Sequence, residues 1–229
     1  SAASDVYKRQ FLYVFGHVSE LEPLFSAHPE INGKYEIVDS EDALTNYSDP
    51  MLAYTDENAS LVKAMKYAKD DLSEGVVTLG ATGAVLVCSI MILGKIKGLR
   101  PILAVELKAK NDKPMLIVDC GANIDSRAEL YVSFAKLGDA YMKCLGIANP
   151  RIALLSNGAE KTKGNEAVKA AHKLLEATPV NFIGNVEATG ALSGSQDVIV
   201  ADGFSGNVLL KSIEGVAKTV LSLIHISEP

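Results

Sequence analysis

The sequence predicts an α/β protein with a largely parallel sheet. Strand-like apolar runs alternate along the chain with stretches of helical periodicity, which is the order that such folds require. Several of the runs are continuously apolar, as is typical of strands covered on both faces. The predicted strands span residues 11–15, 35–39, 76–79, 102–107, 115–120, 152–156, 181–186 and 197–201.

The segments between these runs predict helices. Apolar residues recur at helical spacing from Leu61 to Leu72, after Ser60 as a candidate N-cap. The same spacing relates a second set, which predicts the buried face of another helix: Leu130, Phe134, Leu137 and Tyr141. Two further helices are predicted over 164–177 and 207–224.

The pattern indicates one α/β domain over residues 11–224. The first ten residues carry no pattern that leads into the strand at 11–15, and residues 224–229 break away from a well-patterned helix. We therefore expect segments 1–10 and 224–229 to be non-native flanks of an incomplete sequence.

One uncharged stretch of nineteen residues, 76–94, has the length of a membrane span. The sequence "GATG" interrupts it after four β-prone residues, and only about a dozen apolar positions follow. A buried strand, a glycine turn and a buried helix explain the stretch better than a transmembrane helix does.

Composition narrows the classes of partner and of site. The net charge of −6 argues against a broad nucleic-acid surface, because phosphate contacts need clustered Lys and Arg. Tryptophan is absent, which argues against a base-stacking surface. Cys88, Cys120 and Cys144 lie far apart, so we expect buried free thiols rather than a zinc site or a disulfide.

Five predicted strands end in turns that combine Gly with Asn, Asp, Thr or Lys. The turns are "TLGATGA" (78–84), "DCGANID" (119–125), "SNGAEKTKGNE" (156–166), "GNVEATG" (184–190) and "ADGFSGN" (201–207). Ligands of parallel sheets bind at the carboxyl ends of strands, where glycine admits an anion and helix N–H groups point at it. Each turn alone could be ordinary, and Asn207 could simply cap a helix. Together the turns favour a site for phosphate or for a developing oxyanion.

Other chemistries lack their motifs. The sequence has no dinucleotide-binding GxGxxG after a strand, no Walker A loop, no GxSxG elbow and no HExxH. The four histidines fall outside the glycine turns, and His172 has the position of a surface residue on a helix. We therefore expect no histidine base, no metal and no cofactor.

Several segments, in this order, resemble the PlsX phosphate acyltransferases. They are "TLGATGA", "GKIKGLRP", "VDCGAN", "NPRIALLSNGAEKTKGNE", "VNFIGNVEA" and "DVIVADGFSGNVLLKSIEG". The resemblance is close over residues 60–221 and fainter over 11–59. It implies a three-layer, Rossmann-like sandwich similar to the isocitrate/isopropylmalate dehydrogenase-like fold. It also implies transfer of a fatty acyl group from acyl carrier protein to inorganic phosphate, for phospholipid synthesis, in a cytoplasmic homodimer that associates peripherally with the membrane.

The resemblance also assigns residues. Lys163 and Asn207 match the family's functional Lys and Asn, which implies that they contact phosphate and the thioester carbonyl. The implied substrate and phosphate-binding set is Gly80, Thr82, Gly83, Asp119, Gly121, Asn123, Gly164, Asn165, Asn185, Glu187, Asp202, Gly203 and Gly206. Lys95, Lys97 and Arg100 are candidates for docking the acidic carrier protein, although a solvated helix end explains them equally well.

Two family features are not found in this sequence: the opening Asp-Ala-Met-Gly-Gly-Asp motif and the apolar hairpin linked to membrane contact. Two other functions therefore stay open. One is a non-catalytic fragment that binds phosphate or acyl carrier protein, and the other is a phosphotransacylase that acts on acyl-coenzyme A.

Overall fold

Residues 10–41 and 51–226 are described by a computed structural model, and the chain divides between Lys97 and Gly98 into two units. Each unit is described by itself, so the expectation of one domain over 11–224 stays a prediction. The expected flanks lie mostly outside the described residues, although the last helix continues to Ile226.

The first unit begins with a strand–helix–strand crossover. Strands β1 (Leu12–Gly16) and β2 (Tyr35–Asp39) pair in parallel, with Leu12 opposite Tyr35. Helix α1 (Val18–Ser26) and a 3-10 turn (Pro29–Ile31) connect them, as parallel pairing requires. The first two predicted strands are thus confirmed.

Two more helices of the first unit enclose a small core. They are α2 (Ser60–Lys69) and α3 (Thr82–Cys88), and α3 continues as a single π turn over Ser89–Leu93. The core consists of Ala53, Ala59, Leu61, Val62, Met65, Ala84 and Cys88. The predicted cap at Ser60 is wrong: Ala59 is the N-cap, without a side-chain hydrogen bond.

The predicted strand at 76–79 is also wrong. These residues have no regular structure, and the side chains of Val77 and Leu79 are fully exposed. β-prone residues form a strand only where a neighbouring strand supplies the hydrogen-bond ladder, and none of the described strands pairs with this segment. The helix that follows is only partly buried, because Met91 and Leu93 are exposed. Within the described residues, no helix is both long and apolar enough to cross a bilayer.

The second unit is built on a five-stranded sheet. Its strand order is β3-β4-β7-β5-β6, and only β3 is antiparallel to its neighbour. The strands are β3 (Ala104–Lys108), β4 (Pro114–Val118), β5 (Ile152–Leu155), β6 (Phe182–Val186) and β7 (Val198–Val200). These bounds confirm the last five predicted strands to within two residues. Most residues of β4, β5 and β7 are buried, as their continuously apolar sequences predict.

Helices cover both faces of this sheet, so the unit has three layers. Helices α4 (Ala128–Cys144) and α5 (Glu166–Glu176) pack on one face, and α6 (Gly203–Ile226) packs on the other. The expected α/β class and largely parallel sheet are confirmed.

The helical spacing of apolar residues predicted the presence of these helices correctly, but it did not predict every buried face. The buried stripe of α4 consists of Tyr131, Phe134, Ala135, Gly138 and Met142. The predicted stripe shared only Phe134 with it, and Tyr141 is exposed, where its hydroxyl donates to Glu106 at 2.9 Å. The last helix begins at Gly203 rather than at Asn207, because Asp202 starts it.

An ion pair joins the amino ends of the central strands β5 and β7. The Arg151 guanidinium donates to both carboxylate oxygens of Asp197, at 2.9 and 2.7 Å, and the Arg151 backbone N–H donates at 2.8 Å. Burial of Asp197 favours its neutral form, but these hydrogen bonds outweigh burial and hold the pKa of Asp197 below its ordinary value.

We expect Asp197→Asn to lower the free energy of unfolding by about 2 kcal/mol at neutral pH, because hydrogen bonds to a charged group are lost. The folded-state pKa is depressed, so this stabilisation is fully present above the unfolded-state pKa of about 3.9. It is lost as the pH falls through the folded-state pKa. Urea unfolding of both proteins between pH 7 and pH 3 measures the difference.

The matched control is Glu214→Gln, which breaks the exposed Lys211 pair on α6. Exposed helix pairs contribute only about 0.5 kcal/mol. A difference for Asp197→Asn that is no larger than the control, or that grows towards pH 3, would contradict the assignment.

Candidate functional site

Three central strands bring the candidate site together. In the order β4-β7-β5 these strands are parallel neighbours, so their carboxyl ends at Val118, Val200 and Leu155 lie side by side. Each strand leads into a helix on the same edge: β4 into α4, β5 into α5 and β7 into α6. Three of the five predicted glycine turns are therefore adjacent.

The turn after β4 is organised by the carboxylate of Asp119, which is completely buried. One oxygen accepts the backbone N–H groups of Leu103, Gly121 and Ala122 at 3.0 to 3.2 Å. The other accepts the backbone N–H and the side-chain amide of Asn123, at 2.7 and 2.8 Å. Both oxygens are thus committed to the protein, so Asp119 shapes the turn and offers no open acceptor.

The turn after β7 is locked onto the turn after β4 by two glycines. The Gly203 N–H donates to the Asn123 carbonyl at 2.8 Å. A Cβ on Gly203 would lie 2.8 Å from that carbonyl oxygen, and one on Gly206 would lie 1.9 Å from the Asp119 carbonyl oxygen. Only glycine permits this approach, so the first turn of α6 is fixed against the loop that precedes α4.

Asp202 starts helix α6. One of its oxygens accepts the Ser205 N–H at 2.8 Å, as an N-cap does, and the other accepts the Ser205 hydroxyl at 2.8 Å. The Tyr131 hydroxyl donates to the same carboxylate at 3.3 Å. Burial, assisted by the Asp202 carboxylate, raises the pKa of Tyr131, so its phenol stays protonated and is a hydrogen-bond donor here.

The turn after β5 ends in a second cap. The Asn165 side chain accepts the Val168 N–H at 2.9 Å and begins α5. Gly164 has a φ of +99°, and a Cβ there would lie 2.5 Å from Val168 Cγ1, so both backbone conformation and space require glycine. Lys163 precedes this glycine and is exposed. Its ammonium has no hydrogen bond or ion pair with any residue that the structure describes.

The starts of all three helices line one cavity of about 350 Å³. The lining residues are Ile124, Asp125, Ser126, Arg127, Tyr131, Asn165, Ala167, Asp202, Phe204 and Ser205. The first N–H groups of a helix have no partner inside it and carry partial positive charge. Ala167 and Phe204 lie between a cap and its bonded amide, and both residues line the cavity. The arrangement suits a small anion.

Arg127 is the only cationic residue in this lining, and it occupies the N-cap position of α4. Two carboxylates oppose it, but Asp202 is engaged by Tyr131 and Ser205, which leaves Asp125 as the exposed negative charge. A guanidinium presents paired N–H groups that match two oxygens of a phosphate. The cavity therefore has a cation beside its helix N-termini.

Only part of the predicted set lines the cavity. Asn165 and Asp202 do, while Asp119, Gly121, Asn123, Gly164, Gly203 and Gly206 build the turns behind it. Asn207 lies in the second turn of α6 and is exposed, but it is not a lining residue, and the helix start excludes its alternative role as a cap. The functional roles that the resemblance assigned to these residues stay predictions.

Two predicted residues belong to the edge strand β6 and its end. Asn185 Oδ1 accepts a hydrogen bond from His172 Nδ1 at 2.8 Å, and the Asn185 amide nitrogen donates to the Glu160 carbonyl at 2.9 Å. Glu187 is exposed at the start of a 3-10 turn, Ala188–Gly190. His172 itself is 3% exposed, so its predicted surface position is wrong.

The remaining predicted residues lie in the first unit or at the boundary. Gly80 precedes α3, whose first two residues are Thr82 and Gly83, and these three residues are exposed. Lys95 and Lys97 follow the π turn, and Arg100 opens the second unit. All three cations are exposed in irregular chain, and Lys95 directly follows Gly94, the C-cap of the π turn. Their role in docking stays a prediction.

Sequence reasoning missed the cavity's strongest cation. Arg127 stands directly before the first residue of α4 and at the end of a strand-end turn, which was the available signal. Phe204 and Ser205 lie within the predicted turn 201–207 but were not singled out, whereas Ser126 and Tyr131 lie outside the predicted turns and gave no such signal.

The cysteines differ from one another in environment. Cys88 and Cys120 are buried as expected, but Cys144 is exposed, so the expectation for that residue is wrong. Burial, with help from the Asp119 charge, raises the pKa of Cys120 to about 12. Its thiol is therefore neutral at physiological pH and is a poor nucleophile.

We expect Gly206→Ala to lower the free energy of unfolding by about 2–3 kcal/mol, because the new methyl group forces the turns after β4 and β7 apart. Gly215→Ala, on the same helix, is the matched control: a Cβ there meets nothing within 4 Å. Helix propensity predicts that the control gains up to about 1 kcal/mol. Urea unfolding compares them, and equal effects of the two variants would refute the interlock.

Comparisons with known proteins agree with this architecture. The family model described as "Fatty acid synthesis protein" matches residues 2–227. A phosphate acyltransferase from Clostridium perfringens is 40% identical over 226 residues, which cover 97% of this chain and 66% of that protein. The chain thus spans just under two thirds of the length of this relative.

Solved structures show the same fold at low sequence identity. EutD phosphotransacetylase from Staphylococcus aureus matches with a TM-score of 0.61 and 14% identity, over 91% of this chain and 83% of that one. A protein described as 4-hydroxythreonine-4-phosphate dehydrogenase from Salmonella typhimurium matches with a TM-score of 0.51 and 14% identity, over 83% and 71%. The Rossmann-like fold expected from the motifs is confirmed. The chain belongs to the fatty acid synthesis protein family, that of the PlsX phosphate acyltransferases.

Proposed function

We propose that the protein transfers a fatty acyl group from the thioester of acyl carrier protein to inorganic phosphate, and that the acyl phosphate serves phospholipid synthesis. The observation that carries the proposal is the cavity at which three helix N-termini and Arg127 converge. Phosphate fits these groups in size and charge, and curated relatives are named phosphate acyltransferases.

In the proposed reaction an oxygen of hydrogen phosphate attacks the thioester carbonyl carbon. The new C–O bond forms, the C–S bond breaks, and the phosphate proton leaves with the thiolate as the free thiol. Phosphate is already anionic at neutral pH, so it needs a position more than a base. Arg127 and the helix N-termini hold phosphate, while Lys163 and Asn207 stabilise charge on phosphate and on the carbonyl oxygen.

The Cys120 thiol takes no part in this scheme. A covalent route would need a thiolate within reach of the cavity, whereas Cys120 is buried in the cluster beneath α6, is not a lining residue and remains protonated. Direct attack by phosphate therefore requires fewer protein groups than a covalent route through a cysteine thiolate.

The test follows thiol release from palmitoyl-acyl carrier protein, with and without phosphate. Release that depends on phosphate, with formation of acyl phosphate, supports the proposal. Release without phosphate indicates a hydrolase and overturns it. A parallel reaction with palmitoyl-coenzyme A distinguishes the phosphotransacylase alternative, and binding without release from either donor indicates the non-catalytic alternative.

Lys163→Ala is expected to lower kcat/KM about 100-fold, the usual cost of removing one preorganised group that stabilises developing charge. Lys173→Ala is the matched control, since Lys173 is exposed on α5 away from the strand-end turns. The same thiol-release assay measures both variants. Equal activity of the two variants would contradict the proposed role of Lys163.

Arg127→Gln is expected to raise the KM for phosphate about tenfold, because one charge-assisted contact is worth about 1.5 kcal/mol. The KM for the acyl donor is expected to stay the same. Lys136→Gln removes an exposed charge from the middle of α4 and is the control. An unchanged phosphate KM in Arg127→Gln would place phosphate elsewhere.

Docking of acyl carrier protein by Lys95, Lys97 and Arg100, homodimer formation, peripheral association with the membrane and a cytoplasmic location are further parts of the proposal. Their support is the family resemblance and, for docking, the exposure of all three cations. Reversal of these three charges should raise the KM for acyl carrier protein.

A further inference from the structure

A chain of hydrogen bonds runs from the buried face of α5 to the backbone at Lys163. His172 Nδ1 lies 2.8 Å from Asn185 Oδ1, and Asn185 Nδ2 donates to the Glu160 carbonyl at 2.9 Å. The Lys163 N–H donates to that same carbonyl at 3.0 Å. Because the Asn185 amide donates to Glu160, its Oδ1 faces His172, which must therefore donate from Nδ1.

The segment that carries Lys163, residues 156–165, has few other anchors. We refer to it as the Lys163 loop. The Gly164 N–H donates to Asn157 Oδ1 at 2.8 Å and closes the loop on itself. The Lys163 stem lies over Gly158, where a Cβ would come within 2.6 Å of Lys163 Cγ. These contacts are internal to the loop. The Ser156 N–H, which donates to the Val186 carbonyl at 2.9 Å, attaches the start of the loop to the sheet, and Asn185 attaches the part next to Lys163.

The two lysines of the loop have different partners. Lys161 forms an ion pair with Glu176 at the end of α5, while the Lys163 ammonium is left without a partner among the described residues. His172 Nε2 lies 3.6 Å from the same Glu176. Glu176 thus pairs with Lys161 and not with Lys163. The Lys163 ammonium is therefore the cation of this loop that is available to an anionic ligand.

His172 is well placed to hold Asn185. Its side chain is 4% exposed, and its ring packs edge-on against Phe182 with the centroids 5.0 Å apart. A buried donor without its acceptor would cost about 1–3 kcal/mol, so the His172–Asn185 contact is strongly favoured. Asn185 in turn cannot rotate without loss of two hydrogen bonds.

We propose that Asn185, held by His172, is a positioning residue that fixes the Lys163 loop on the sheet. This assignment differs from direct phosphate binding by Asn185, since both polar atoms of its side chain are engaged. Only one part of this proposal rests on the proposed function, namely that the loop presents Lys163 to phosphate. The anchoring itself is independent of the reaction.

Asn185→Asp tests the anchor with a nearly isosteric change, because a carboxylate keeps an acceptor for His172 but cannot donate to the Glu160 carbonyl. Hydrogen–deuterium exchange of the peptide over 158–164 reports on the loop without any need for turnover. We expect exchange to accelerate about fivefold, which corresponds to one hydrogen bond of about 1 kcal/mol. We also expect the KM for phosphate to rise by a similar factor, with the KM for the acyl donor unchanged.

Asn181→Asp is the matched control on the same edge of the sheet. The Asn181 amide donates to the Asn149 carbonyl at 3.4 Å, away from the Lys163 loop. This variant is expected to leave both the exchange of 158–164 and the phosphate KM as in the parent protein. A pair at His172 gives a second comparison: His172→Asn retains a donor at the Nδ1 position and should preserve loop protection, whereas His172→Leu should lose it.

The outcomes separate the two proposals. Unchanged exchange over 158–164 in Asn185→Asp and His172→Leu overturns the positioning role. Faster exchange with an unchanged phosphate KM supports the positioning role and overturns the contact between Lys163 and phosphate. Equal changes in both KM values and in the control variant indicate general destabilisation and also overturn the positioning role.

Discussion

The buried carboxylate of Asp119 is the interaction on which the candidate site depends. It accepts five hydrogen bonds, four from the backbone and one from Asn123, although no cation compensates its charge among the described residues. Such a group is costly to bury unless every lone pair is used. The turn after β4 is consequently held in one conformation, and it provides the rigid surface on which Gly203 and Gly206 seat the start of α6.

The rest of the site follows from that constraint and from strand order. Because β7 lies between β4 and β5, the turns after all three strands meet at one edge, and the starts of α4, α5 and α6 face one cavity. Asn165 and Asp202 each satisfy one amide of their helix, and first-turn N–H groups remain for a ligand. The features that suit the cavity to an anion therefore belong largely to the backbone, to which Arg127 adds a formal charge.

Side chains in this site divide into those that build it and those that are free to act. Asp119, Asn185 and Asp202 have both polar side-chain atoms engaged within the protein, and Asn123 has its side-chain nitrogen engaged. Arg127, Lys163 and Asn207 are exposed, and the structure assigns them no partner among the described residues. A rigid frame with a few free polar groups is the arrangement that electrostatic catalysis requires, since the groups need not reorganise during the reaction.

The sequence by itself determined the α/β class, seven of the eight predicted strands, the four helices and the turns that carry the site. Continuous apolar runs, helical spacing and glycine at strand ends are local signals that packing preserved. The tertiary structure alone decided strand order, the phase of α4, the burial of His172 and the convergence on the cavity of Arg127, Tyr131 and Phe204. It also showed that residues 76–79 have no strand partner among those described. These features depend on contacts between residues far apart in the chain, and the sequence of one segment does not specify which other segment will lie beside it.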